Sequence, residues 1–174
     1  MKILLDAGHG GYDPGAVAND TREKDITLLI VTMTGNLLKT SGIDVLYTRE
    51  FDTYVSPSDR LRMINNIKPD AFLSVHCNAV DNETANGIET IYRDKYDYDL
   101  AVCIQNSLVK AEGLRDRGVK SDVRKLAVLS NLQVPACLCE VGFISNIKDV
   151  EVLKQTDIIA VALVKGIEIW QKNL

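Results

Sequence analysis

No block of like charge, no long apolar run and no C-x-x-C pair occurs in this sequence of 174 residues. The first absence, with a net charge of −4, leaves no basic face of the kind that nucleic-acid binding or adhesion to an anionic surface requires, and no nucleic-acid partner is expected. The second leaves nothing near the roughly 20 apolar residues that span a bilayer, so no membrane insertion is expected. Met1-Lys2 runs straight into "ILLDA", an apolar stretch too short for a signal peptide and ended by Asp6. A cytosolic product, a secreted mature form or an excised domain is therefore expected. The third absence argues against a thiolate zinc site or a thioredoxin-like motif. Cys77, Cys103, Cys137 and Cys139 are read as buried thiols that pack as small hydrophobes. Internal repeats, low-complexity tracts and linkers are also missing, and one domain over residues 1–174 is expected.

What is present is an alternation of two periodicities. "KILLDA" (2–7) reads as a strand that runs into a glycine-rich loop. From Thr21 to about Ser41, Ile26, Leu29, Ile30, Met33 and Leu37 recur on one helical face. "IDVLYT" (43–48) is a second strand. A helix over 56–70 is capped by Ser56, with Pro57 in its first turn and Pro69 closing it. "AFLSVH" (71–76) is nearly continuously apolar, as buried parallel strands are, and "GIETIY" (87–92) alternates. A helix over 97–112 places Ala101, Ile104, Leu108 and Ala111 on one face. A short strand over "LAVLSN" (126–131), a buried strand over "ACLCEV" (136–141) and helices over 146–155 and 157–172 complete the pattern. This order predicts an α/β fold with a mostly parallel sheet.

Ligands of open α/β sheets gather outside the C-terminal ends of the strands. One of the chain's two histidines, His9, sits there among glycines in "LLDAGHGGYDPG". The other, His76, ends "AFLSVH", and Glu140 lies near the end of "ACLCEV". Glu23 joins them if the loop between the first strand and the first helix folds back. Two histidines and a carboxylate, with a second carboxylate nearby, form the ligand set of a catalytic zinc site. The spacing alone leaves a second reading open, in which each histidine is a hydrogen-bonded residue at a strand end. Other motifs fail on inspection. "GGYDPGAV" has Ala16-Val17 where a P-loop needs Lys then Ser or Thr, and Asp13 takes the third glycine position of a G-x-G-x-x-G. Cys77 and His76 are strand neighbours and point to opposite faces, so they cannot form a Cys–His pair there. Ser74 has the right parity but lacks a G-x-S-x-G turn.

The segments "LLDAGHGGYDPGA", "REKDITL", "VLYTRE", "SDRLRMINN", "FLSVHCNA", "GIETIY", "RGVK", "LAVL" and "PACLCEVGFISN", in this order from about Lys2 to Trp170, resemble the zinc-dependent N-acetylmuramoyl-L-alanine amidases of the amidase_3 type. The resemblance implies a single three-layer domain with a twisted, mostly parallel sheet of about six strands flanked by helices. It implies a catalytic domain, residues 1–174, that hydrolyses the amide between N-acetylmuramic acid and L-alanine in peptidoglycan. By motif, His9, Glu23 and His76 would hold one Zn2+ per chain and Glu140 would be the general base and acid. Asn78 and Glu89 would lie at the substrate, while Arg49, Arg60 and Asn65 are read as loop and helix anchors. Cys77 stands where small residues are usual, a departure that touches no expected ligand. The resemblance also implies action on the cell wall, with a wall-binding domain elsewhere in a longer parent chain. An endolysin of phage type, held in the cytoplasm until lysis, fits the missing signal peptide as well as a secreted mature autolysin does.

Overall fold

Strand parity governs how this chain folds around its sheet. The structure, a computed structural model, describes residues 1–123, 125–130 and 132–174. In chain order the elements are β1 (Lys2–Ala7), β2 (Val17–Ala18), β3 (Thr21–Arg22), α1 (Glu23–Thr40), β4 (Asp44–Tyr47), α2 (Pro57–Ile67), β5 (Ala71–Asn78), β6 (Ile88–Tyr92), α3 (Tyr98–Glu112), β7 (Asp116–Ser121), a 3-10 turn (Ala127–Leu129), β8 (Ala136–Phe143), α4 (Ile147–Leu153) and α5 (Thr156–Lys172). Six strands form one sheet in the order β4-β1-β5-β8-β6-β7. β4, β1, β5 and β8 run parallel, and β6 turns antiparallel to β8 with β7 parallel to β6.

Alternate residues of each central strand serve two different cores. Ile3, Leu5 and Ala7 of β1, Leu73, Val75 and Cys77 of β5, and Cys137, Cys139 and Val141 of β8 pack under α1, α3 and α5. These helices contribute Ile30, Ile104, Leu163 and Trp170 to the same cluster. The other parity, Leu4, Phe72 and Leu138, packs against Ile64 of α2 and Leu129 of the 3-10 turn. The result is three layers, and Asp6, Ser74, His76 and Glu140 share the parity of the α2 face. Cys77, Cys137 and Cys139 are buried free thiols and Cys103 is half-buried. No helix among the described residues is long and apolar enough to cross a membrane.

The expected helix start at Ser56 holds. Its Oγ accepts from Asp59 N at 3.1 Å, Pro57 opens α2, and Lys68 ends it in the left-handed conformation at φ 48°. Five elements differ from expectation. "LAVLSN" is not a strand: Ala127–Leu129 form a 3-10 turn whose Leu129 plugs the smaller core, and Asn131 lies outside the described residues. A short apolar run does not by itself separate a strand from a helical turn. β7 was not expected, because "DRGVKS" is polar and pairs along one edge only. Thr21 belongs to β3 rather than to α1, which begins at Glu23. β5 and β8 each run two residues past their expected ends, to Asn78 and Phe143.

Candidate metal centre

The loop after β1 folds back on itself and brings Glu23 to the two histidines. Val17 pairs with Arg22 and Ala18 with Thr21 across a two-residue turn in which Asn19 and Asp20 both have positive φ, the geometry that suits tight hairpins. Glu23 N then donates to Ala16 O at 2.9 Å, which opens α1 directly beneath the loop. Two glycines make room. A Cβ on Gly8 would collide with the His76 ring, and one on Gly15 would lie 2.6 Å from both Glu23 Oε2 and His9 Cδ2. His9 itself is held at φ 62°, a backbone conformation costly for a residue with a side chain.

Glu23, 4% exposed, sits between the imidazoles. His76 Nδ1 is 2.9 Å from its Oε1, and His9 Nε2 is 3.1 Å from its Oε2. Backbone N–H groups of Cys77 (3.0 Å) and Ala16 (2.9 Å) donate to the same two oxygens. The rings meet edge to face with centroids 5.0 Å apart. Burial alone would raise the Glu23 pKa, but the bonds from His76 and His9 outweigh it and hold the carboxyl well below its ordinary range. Burial alone would lower the His9 pKa, but Glu23 and then Asp13 raise it to about 9. One donor atom from each of His9, Glu23 and His76 lies within 4.8 Å of the others, so this group could hold a metal ion. Two imidazoles and an ionised carboxylate suit a divalent metal of zinc type. Asp13 Oδ2 lies 2.9 Å from His9 Nδ1, a contact that would keep a proton on Nδ1 and leave Nε2 as the nitrogen to bind a metal ion. Asp13 was missed in the sequence, although a carboxylate four residues after His9 in a tight loop is a usable signal.

Arg49 and Arg60 anchor this loop, as expected. Arg49 donates to Ala7 O (3.0 Å), Gly8 O (2.9 Å) and Lys24 O (2.9 Å). Arg60 donates to Ala7 O (2.9 Å) and His9 O (2.8 Å) and pairs with Asp6. Asp6, fully buried, also accepts from Thr48 Oγ1 (2.5 Å) and Ser74 Oγ (2.6 Å). Burial lowers the Arg60 pKa to about 10. Asn65 lies exposed on α2.

Glu140 is half-buried on β8, in register with His76 of β5 on one side and Glu89 of β6 on the other. Glu89 is 7% exposed and paired at 2.8 Å with both Arg117 and Lys120 of β7. Burial would raise its pKa, but Lys120 and Arg117 outweigh that and lower it. Asn78 Nδ2 donates to Glu89 Oε1 at 3.4 Å. Arg117 and Lys120 entered the sequence analysis only within the segment "RGVK", with neither a strand nor a role assigned to them. A cleft of about 240 Å³ opens beside His9 and His76, lined also by Asp13, Tyr54, Pro57 and Val128. Cys77 faces the opposite core, and burial pushes its thiol and that of Cys139 well up, away from the reactive thiolate.

Comparison with known proteins agrees with this architecture. The Amidase_3 family model, described as N-acetylmuramoyl-L-alanine amidase, matches residues 3–168. N-acetylmuramoyl-L-alanine amidase LytC of Bacillus subtilis (strain 168) is 37% identical over 157 residues, 88% of this chain and 31% of LytC. The probable cell wall amidase LytH of Staphylococcus aureus is 36% identical over 97% of this chain and 57% of LytH. The chain thus spans between about a third and somewhat over half of these two relatives. The crystal structure of an N-acetylmuramoyl-L-alanine amidase from Clostridium difficile 630 superposes with a TM-score of 0.92 at 34% identity, covering 98% of this chain and 96% of that one. With residues 3–168 of its 174 matched by the family model, this chain belongs to the Amidase_3 family of N-acetylmuramoyl-L-alanine amidases.

Proposed function

We propose that residues 1–174 act as a catalytic domain on the cell wall, hydrolysing the amide between N-acetylmuramic acid and the L-alanine of the peptidoglycan stem, with one Zn2+ per chain held by His9, Glu23 and His76. The observation that carries this reading is the convergence of those three side chains within 4.8 Å at the C-terminal ends of the parallel strands. Family membership supports the choice of bond.

When bound, zinc supplies Lewis acidity, which activates water near neutral pH and polarises a carbonyl. The rest is work for the chain's own groups. Glu140, one strand over from His76, takes the proton of the attacking water and returns it to the leaving alanine nitrogen. Asp13 holds the His9 ring in place, and Arg49 and Arg60 fix the carbonyls of the loop that carries it. Asn78 at the end of β5 and Glu89, which borders Glu140 on its β6 side, contact the substrate, with Arg117 and Lys120 holding the Glu89 carboxylate in position.

Elemental analysis after dialysis tests the metal assignment. One zinc per chain is expected, with lytic activity removed by chelation and restored by zinc. His76→Ala should lose metal and activity together. Full activity in a metal-free preparation would overturn the reading.

A further inference from the structure

Of the chain's six tyrosines and three phenylalanines, Tyr12 and Tyr54, exposed by 80% and 39%, sit together on the two loops beside the cleft. Tyr12 and Tyr54 stack on each other, with ring centroids 4.3 Å apart and planes inclined by 27°. Tyr12 adjoins Asp13, and Tyr54 lines the cleft itself. The stack is not a loose surface contact. Gly11 N donates to Asp52 Oδ1 at 2.8 Å, and the buried Lys24 Nζ bonds Asp52 Oδ2 (2.7 Å) and Gly11 O (2.8 Å), which ties the two loops together. Gly11, at φ 60°, lets the Tyr54 backbone come so close that a Cβ there would lie 2.7 Å from Tyr54 N.

A ring as exposed as Tyr12 adds little to the core, so burial does not account for so firm a mounting. Exposed apolar patches beside a cleft mark recognition surfaces. We propose that the Tyr12–Tyr54 stack is a saccharide platform, on which a pyranose ring of the glycan strand lies next to the metal centre. This deepens the functional reading given above and rests on it. Three features favour a sugar over the stem peptide. The electron-rich ring face suits the weakly positive C–H groups of a pyranose face, and the phenol hydroxyls can meet its ring hydroxyls. The charges beneath the stack, Lys24 and Asp52, are matched to each other, which suits a neutral ligand. The order of strands also separates two environments. The aromatic stack is carried by the loops that follow β1 and β4, whereas Glu89, Arg117 and Lys120 lie beyond Glu140 on β6 and β7. A substrate whose scissile amide joins a sugar to a charged peptide fits across the sheet in that direction, glycan over β1 and peptide toward β7.

The test uses glycan strands stripped of peptide as one probe and free stem peptide as the other, with binding followed by NMR titration of the intact chain. Wild type should bind the peptide-free glycan. Tyr12→Ala and Tyr54→Ala should each weaken that binding about tenfold, the scale of one lost aromatic stacking contact. Tyr12→Phe and Tyr54→Phe should keep most of it, and affinity for the stem peptide should not change. Wild type that fails to bind glycan, alanine variants that bind it as wild type does, or a loss confined to the stem peptide would each overturn the proposal. Release of amino-terminal alanine from whole peptidoglycan is scored on the same preparations. Its presence with tyrosine-independent glycan binding sinks the platform alone, whereas its absence in wild type sinks the functional reading.

Discussion

Glu112→Gln should make the protein more stable, and increasingly so as the pH rises. Glu112 is the last residue of α3, and both its carboxyl oxygens are buried with no hydrogen-bond partner among the described residues. Burial first, and then the negative charge of Asp149, raises its pKa from 4.5 to about 9. Asp149 stays in place because Gly87 N and Phe143 N both donate to its Oδ2 at 2.8 Å. Between those two pKa values the folded chain keeps a proton that the unfolded chain gives up. The stability this group contributes is therefore fully present below pH 4.5 and is lost as the pH rises toward 9. At pH 7 the loss is on the order of 3 kcal/mol, from about 1.4 kcal/mol per pH unit. Gln does not titrate, so urea unfolding of both proteins at several pH values between 5 and 9 should show a stability difference that widens with pH. A difference that stays constant over this range would refute the reasoning.

Three other substitutions separate the roles assigned above. Arg60→Ala should cost about 3–5 kcal/mol in urea unfolding, because it strands the buried Asp6 carboxylate; a cost under about 1 kcal/mol, the range of an exposed pair, would remove Arg60 as an anchor. Glu140→Gln should lower turnover by at least about 10²-fold while zinc content and folding stay near wild type, as loss of a general base requires. Zinc lost with it would make Glu140 a ligand and put Glu23 in question. Cys77→Ala and Cys139→Ala should each retain substantial lytic activity, since both thiols are buried packing groups; turnover lost with fold and metal intact would restore a thiol mechanism.

The parts of the site legible in the sequence were those that local rules control. Strand parity put His76 on the face away from Cys77, and the structure keeps that alternation and sets Glu140 in register with His76. Scarcity drew attention to His9 and His76, each at the end of an apolar run. Glu23 depended on the loop folding back, which the Val17–Arg22 hairpin achieves with only two residues per strand, too few to leave a periodic signal. The parts not legible depend on distant partners. Asp6 reads as the polar end of an apolar run, yet it is fully buried because Thr48, Arg60 and Ser74 arrive from three other segments to bond it. β7 is an edge strand, so tertiary pairing rather than an apolar face defines it, and with it went the view of Arg117 and Lys120 beside Glu89.

The most direct measurement of the central claim is the identity of the chain ends produced when the protein digests purified peptidoglycan. The account predicts new free L-alanine amino termini, one for each bond cut, with no new reducing sugar ends and no release once the metal is chelated. Reducing ends without amines would mean glycosidase chemistry, and amino termini other than alanine would mean an endopeptidase. Either result would contradict the assignment.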